Sequence, residues 1–257
     1  MSQHSEVVGR DHLHIFPATS PREETGLLYD ALRCGASPPP DLLEPGVYGS
    51  AAKPINDRGG RGSAWFVEAE FGSGVLRHYR RGGALARINA ERYLWLGVEQ
   101  ARCTREYRLL RAMHTQGLPV PAPLAAGWWR QGAFYRQALL TERIPGAVSL
   151  AELMAEKPAR TPWEGAGQVI ARFHRAGVWH ADLNAHNILR DTHGEIWLID
   201  FDRCTQGLLS DSEREQNMLR LRRSLQKLGG DTGEAGWQRL YTAWLIAMDE
   251  AQTLPSE

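Results

Sequence analysis

The chain has 257 residues, about 1.7 times the ~150 of a typical domain, which is one large domain or two closely packed lobes. Hydrophobic residues at 42% and charged residues at 23% exclude a disordered tail, a collagen-like fibre and a disulfide-dense miniprotein. Thirty Lys and Arg balance thirty Asp and Glu, so no global basic field points to nucleic acid, and any anionic partner must be met by a local patch.

Only Lys53, Lys157 and Lys227 are lysines; the other basic residues are arginines, so a role usually given to lysine has few candidates. Cys34, Cys103 and Cys204 are odd in number with no CxxC spacing, which predicts a reducing compartment and no zinc ribbon. The opening MSQHSEVVGRDHLH has no basic stretch leading into an apolar run, and no 18 apolar residues stand together, so neither secretion nor a membrane span is expected.

Residues 1–45, with the stiff Pro38-Pro39-Pro40 run, read as a leader before the main fold. NDRGGRGS (Asn56 to Ser63) precedes the β-favouring AWFVEAEF, a turn over Gly72-Ser73-Gly74 and a second strand, VLRHY, which together predict a hairpin. Helical spacing of Tyr107, Leu110 and Met113 predicts a helix over Thr104 to His114 that stops at Gly117, and LPVPAP follows as a semi-rigid connector. Tyr135 to Ile144 reads as a strand broken at Pro145-Gly146; beyond it SLAELMAE, Trp163 to Ala176, Glu213 to Leu228 and Trp237 to Asp249 read as helices. The strand-rich first half and helix-rich second half predict two lobes, a leader (1–45), an N-lobe (46–144) and a C-lobe (145–257), and clefts between lobes favour ligands. The Arg-rich face of the late helices, Arg220, Arg222, Arg223 and Lys227, reads as a solvated surface.

Chemistry concentrates in VWHADLNAHNILRDTHGEIWLIDFDR, Val178 to Arg203. Asn187 lies five positions after Asp182, and Asp200 thirteen after Asn187. Residues 187–190 and 195–199 read as short strands joined by a turn over Asp191-Thr192-His193-Gly194, a hairpin that brings Asn187 and Asp200 side by side. An amide oxygen and a carboxylate converging there are hard ligands that suit Mg²⁺ better than zinc. Asp182, on the loop before them, is placed to accept a proton from an attacking hydroxyl. His186 and His193 read as surface histidines, and His174 as a packed one.

This arrangement resembles the protein-kinase-like superfamily. HADLNAHN (His180 to Asn187) matches its H-x-D-x-x-x-x-N catalytic loop, and Asp200-Phe201-Asp202 stands where D-F-G is usual,. The resemblance implies an α+β, bilobal kinase-like fold, Asp182 as base, His180 as the histidine supporting the loop, and Asn187 and Asp200 as Mg²⁺ ligands. Asp202 in place of glycine argues against a flipping activation segment. On the same template Gly59, Gly60, Gly62 and Ser63 would cover ATP phosphates, Arg77 would hold the place of the usual lysine and pair with Glu106, and adenine would hang on the backbone from Glu142 to Ile144.

Fifty-seven residues follow Asp200 with no A-P-E in the next thirty, too few for a lobe that holds a peptide, so a small or glycolipid acceptor is expected. More closely, residues 48–228 resemble bacterial 3-deoxy-D-manno-octulosonic acid (Kdo) kinases of lipopolysaccharide core synthesis. LRHYRRGG, ERYLWLG, GLPVPAPLAA, LLTERI, HADLNAHNIL and WLIDFDRC carry the likeness over about two-thirds of the chain. It implies ATP-dependent phosphorylation of Kdo, at position 4, on Kdo-lipid A by a peripheral protein at the cytoplasmic side of the inner membrane. Arg80, Arg81 and Arg87 are then candidates for the anionic acceptor or an anionic membrane surface. A kinase of another core sugar such as heptose, a nucleotide-binding pseudokinase and a metal-dependent hydrolase using His180 and Asp182 remain alternatives at this stage.

Overall fold

The computed structural model describes residues 5–8, 10–18, 20, 22–55, 64–80 and 92–250. The chain divides into two compact units, Met1–Arg111 with Ala122–Arg143, and Ala112–Pro121 with Ile144–Glu257. The first is built on a nine-stranded sheet in the order β1-β2-β3-β8-β9-β6-β5-β4. Its strands are β1 (Ser5–Val8), β2 (Asp11–Phe16), β3 (Glu23–Asp30), β4 (Lys53–Pro54), β5 (Ala64–Ala69), β6 (Gly72–His78), β8 (Pro123–Gln131) and β9 (Phe134–Glu142). The short β7 (Tyr93–Leu94) pairs with β9 off this path, and every pairing is antiparallel.

Within residues 1–45, expected as a leader, strands β1, β2 and β3 instead form part of this sheet. β3 pairs along β8 from Glu23↔Gln131 to Tyr29↔Ala125, and Leu27, Tyr29, Leu42 and Leu43 join the core with Leu76, Leu124 and Leu140. The segment reads as polar because its apolar runs are short, such as Leu27-Leu28-Tyr29, and stand among charged and polar residues. Asp30 adds a polar anchor: fully buried, it caps α1 (Ala31–Cys34) through Leu32 N–H and pairs with Arg10 and Arg111. Burial alone would raise the Asp30 pKa, but hydrogen bonds and charges from the two arginines outweigh it and hold the carboxyl below its ordinary value,. Arg111 also reaches Asp11 at 3.0 Å, and the Tyr107 hydroxyl donates to Asp11 at 2.8 Å. Strands β2 and β3 are thus tied to α2 (Arg102–Thr115).

The β5–β6 hairpin turns earlier than expected. Ala69 pairs with Gly72, so the turn residues are Glu70 and Phe71. Burying Phe71 in the core outweighs the turn preference of the Gly72-Ser73-Gly74 run, and Gly72 then supplies the positive φ of +95° that closes the loop. β8 was not expected at all: the connector reading stops at residue 123, where the strand begins.

The second unit is mainly helical. α3 (Leu150–Glu156) starts on a capping box in which Ser149 and Glu152 satisfy each other's orphan backbone N–H groups,. α4 (Trp163–Arg175) turns an apolar face inward through Ala166, Ile170, Phe173 and His174. α5 (Asp211–Glu250) breaks at Gly230, where φ is +50°, and its two arms run back along each other: Arg222 pairs with Glu234, and Tyr241 donates to Glu215. α4 meets the second arm at Gly167, where a Cβ would come within 2.2 Å of the Leu240 carbonyl oxygen. Only a residue without a side chain permits that approach. Strands β10 (Val148–Ser149), β12 (Ile188–Arg190) and β13 (Ile196–Leu198) form a small antiparallel sheet, and β11 (Val178–Trp179) pairs with β14 (Thr205–Gln206).

Candidate active site

β12 and β13 fix the geometry. Their register sets Ile188 opposite Leu198, and one step further Ile199 N–H donates to the Asn187 carbonyl at 3.1 Å. Asn187 and Asp200 therefore stand at the same end of the hairpin, on neighbouring rungs. Asn187 is buried and its Nδ2 donates to the Asp182 carbonyl at 2.9 Å, which leaves its Oδ1 facing away from that bond. Asn184 Nδ2 donates to the same carbonyl at 3.0 Å, and the Asn184 side chain receives His186 N–H. The loop from residue 182 to 187 is closed on itself by its own amides.

His180 is the floor of the loop. It is buried; its Nε2 donates to the Ile199 carbonyl at 3.0 Å and its Nδ1 accepts from Asp182 N–H at 3.2 Å. That pair of bonds requires the neutral ring with its proton on Nε2, and burial lowers its pKa in agreement,. Phe201 is buried beside it at 4.9 Å and stacks on Phe173 at 5.8 Å between centroids. Asp200 itself sits at φ +64°, a left-handed conformation that aspartate tolerates better than most residues. Among the described residues Asp202 has no positive φ, so the position where glycine is usual does not need one here.

Three residues of α5 hold this loop and were not singled out as site residues from sequence. Asn217, buried, accepts from His180 N–H and donates to the His180 carbonyl, each at 3.0 Å. Its Oδ1 also lies 3.4 Å from Nε2 of His174, whose Nδ1 accepts from the Trp244 indole at 3.0 Å. Burial lowers the His174 pKa to about 4, so it packs as a neutral ring. Ser224 Oγ accepts from Ala185 N–H at 3.2 Å. Between them Arg220 donates through Nε and Nη2 to Oδ1 of Asp182, at 3.1 and 2.6 Å. The basic run is exposed as read from sequence, but Arg220 and Arg222 within it are ion-paired, to Asp182 and Glu234. The missed signal is a spacing of i, i+3 and i+7 at 217, 220 and 224, one polar edge of a helix whose neighbours Met218, Leu221 and Leu225 are core,.

In the first unit Arg77 and Glu106 come together: Nη2 of Arg77 is 2.6 Å from Oε1 of the buried Glu106, and the guanidinium lies 4.6 Å over the Tyr79 ring. Tyr79 donates its hydroxyl to the other Glu106 oxygen; burial and then the Glu106 charge raise its pKa well above the ordinary tyrosine value. Glu142 spends its N–H on the Ala122 carbonyl at 2.8 Å, and its carboxylate lies 3.2 Å from Arg33. The Ile144 carbonyl accepts from Ala147 N–H. Arg80 is exposed. Gly59, Gly60, Gly62, Ser63, Arg81 and Arg87 lie outside the described residues.

Comparison with known proteins identifies the family. The model of the lipopolysaccharide kinase (Kdo/WaaP) family matches residues 47–244. A 3-deoxy-D-manno-octulosonic acid kinase of Stenotrophomonas maltophilia (strain R551-3) is 50% identical over 211 residues, 82% of this chain and 84% of its own. Another, of Xylella fastidiosa (strain M12), is 51% identical over 190 residues, 74% and 76% of the two chains. Among solved structures, that of WbdD with the kinase inhibitor LY294002 matches at a TM-score of 0.41 and 18% identity over 78% of this chain and 45% of its own, a distant likeness that does not bear on function. With a family match across most of its length and half of the aligned residues identical to such relatives, this α+β chain belongs to the lipopolysaccharide kinase (Kdo/WaaP) family, whose members are sugar phosphotransferases.

Proposed function

We propose that the chain transfers the γ-phosphoryl group of ATP to the 4-hydroxyl of a Kdo residue on Kdo-lipid A. What supports the reading is the closed loop in which Asn187 donates to the Asp182 carbonyl, together with the β12–β13 register that brings Asp200 to the same end of the hairpin as Asn187. Asp182 orients the acceptor hydroxyl and takes its proton; the freed oxygen bonds to the γ-phosphorus as the bond to the β,γ-bridging oxygen breaks, and ADP leaves. Neutral His180 holds the loop through its two ring nitrogens and takes no part in proton transfer.

Asn187 and Asp200 suit a divalent ion of the Mg²⁺ kind, because the donor set is an amide oxygen turned away from Asp182 and a carboxylate, both hard ligands. When bound, the ion neutralises charge on the phosphoryl oxygens. Arg77, fixed by Glu106 and Tyr79, is the cation assigned to the α- and β-phosphates, with backbone N–H groups of Gly59, Gly60, Gly62 and Ser63 for the others and the backbone of Glu142 and Ile144 for adenine. No helix among the described residues is long and apolar enough to cross a membrane. Arg80, Arg81 and Arg87 supply local positive charge toward the anionic glycolipid, which fits a peripheral place on the inner membrane's cytoplasmic side.

The test is steady-state kinetics of Asp182→Ala with Mg·ATP and Kdo-lipid A. Loss of the base lowers kcat by about 10²–10⁴-fold and leaves ATP affinity within about twofold. An unchanged kcat, or equal loss of ATP binding, would overturn the assignment.

A further inference from the structure

The residue assigned as base is already engaged. Both Arg220 donors fall on one oxygen of Asp182, Oδ1, and Oδ2 has no hydrogen bond among the described residues. The side chains of both partners are about half exposed, 47% for Arg220 and 50% for Asp182. A guanidinium carries five N–H donors in a planar fork; two are committed to Oδ1, and Arg220 makes no other hydrogen bond among the described residues. The donors left on Nη1 and Nη2 form an open edge, with no partner among the described residues, on the guanidinium that holds the proposed base.

The position argues for more than loop support. Asn217 and Ser224 on either side of Arg220 hold the loop by its backbone, and the loop's own amides close it. A guanidinium on the reacting carboxylate adds little to that. Beyond it on the same helix, Arg223 and Lys227 are exposed and make no ion pair among the described residues. Arg220, Arg223 and Lys227 follow at i, i+3 and i+7, so they form one cationic stripe that starts at the base. A planar fork left open at its start matches the geometry of a carboxylate.

We infer that Arg220 is the acceptor-recognition residue: its open edge binds the carboxylate of the sugar acceptor and so delivers the hydroxyl to Oδ2 of Asp182. The inference rests on the Kdo reading above and deepens it. Kdo is an acidic sugar with its carboxylate on C2, two ring carbons from the 4-hydroxyl, so a single arginine that touches both the acceptor and the base sets their separation. A neutral sugar offers nothing to this edge, and the stripe thereby selects acidic acceptors. In the transfer itself Arg220 keeps Oδ1, the hydroxyl proton passes to Oδ2, and the oxygen–phosphorus bond forms as ADP departs.

The experiment compares wild type, Arg220→Gln and Arg220→Lys on Kdo-lipid A, and on the same glycolipid with the Kdo carboxyl reduced to the alcohol. Arg220→Gln should raise the KM for Kdo-lipid A at least tenfold and leave the KM for ATP within twofold, with Arg220→Lys intermediate. On the carboxyl-reduced acceptor the KM penalty of Arg220→Gln should disappear, leaving only the loss in kcat that follows from uncovering Oδ1 of Asp182, equal for both acceptors. Removing the lipid A phosphates instead of the carboxyl should leave the Arg220→Gln penalty unchanged. Equal KM penalties on intact and carboxyl-reduced acceptors, a KM penalty that vanishes with the phosphates, or a fall in kcat at constant acceptor KM would overturn the inference. Wild type that phosphorylates neither acceptor would instead refute the Kdo reading and take the inference with it.

Discussion

Asn217→Ala tests the architecture of the site most sharply. The side chain accepts from His180 N–H and donates to the His180 carbonyl, both at 3.0 Å, and it is buried with only 2% of its surface exposed. Truncation leaves two backbone groups and the weaker His174 contact at 3.4 Å without their partner. An orphaned buried polar group costs about 1–3 kcal/mol, so the pair costs about 2–6 kcal/mol, set against a total stability of about 5–15 kcal/mol for a protein. Denaturant unfolding measures this as a lower midpoint at constant slope. Under mildly stabilising conditions the surviving folded variant should lose kcat more than ATP affinity, because His180 and Asp182 no longer have a fixed backbone beneath them. A loss below about 1 kcal/mol would refute the reasoning, since it would mean that the His180 backbone does not depend on Asn217.

Two further outcomes follow from the same structure. Asp30→Asn should cost about 3 kcal/mol near neutral pH, as expected when one member of a buried ion pair is removed, and the cost should shrink on acidification. The folded Asp30 carboxyl lies below its ordinary value, so its contribution is full above the unfolded value, about 3.9, and is lost as pH falls through the folded one; a wild-type-to-variant difference constant from neutral to acidic pH would contradict this. Gly167→Ala drives a methyl group to 2.2 Å from the Leu240 carbonyl oxygen, so α4 and α5 must part, at a cost of about 1–3 kcal/mol or more; an unchanged thermal midpoint would deny the close approach.

The placement of the proposed site residues was legible in the sequence because it is local. His180, Asp182, Asn187 and Asp200 lie on one loop and one hairpin, and their spacing alone sets which groups meet. Arg77 and Glu106 were legible in a weaker way, from their places on successive elements. What stayed hidden depends on long-range packing. β8 is written in Ala125, Ala126 and Gly127, residues with little β propensity, and Gly127 is small because Leu43 and Leu27 fill the space above it: a Cβ there would lie 2.6 Å from Leu43 and 2.8 Å from Leu27,. β3 reads as part of a polar segment until β8 is there to pair with it. Arg220 looked like one charge in a basic run, since nothing near it in sequence reveals that the helix returns to the loop of Asp182, 38 residues away. Tertiary contact, rather than local pattern, sets this half-exposed cation against Asp182.

The central claim is that this loop phosphorylates Kdo. The most direct measurement is tandem mass spectrometry of Kdo-lipid A after incubation with the purified protein, Mg²⁺ and ATP, beside an acceptor extended with heptose. The account predicts one added phosphoryl group, located on Kdo. Phosphate found on heptose alone, or no transfer by protein that binds ATP, would contradict it.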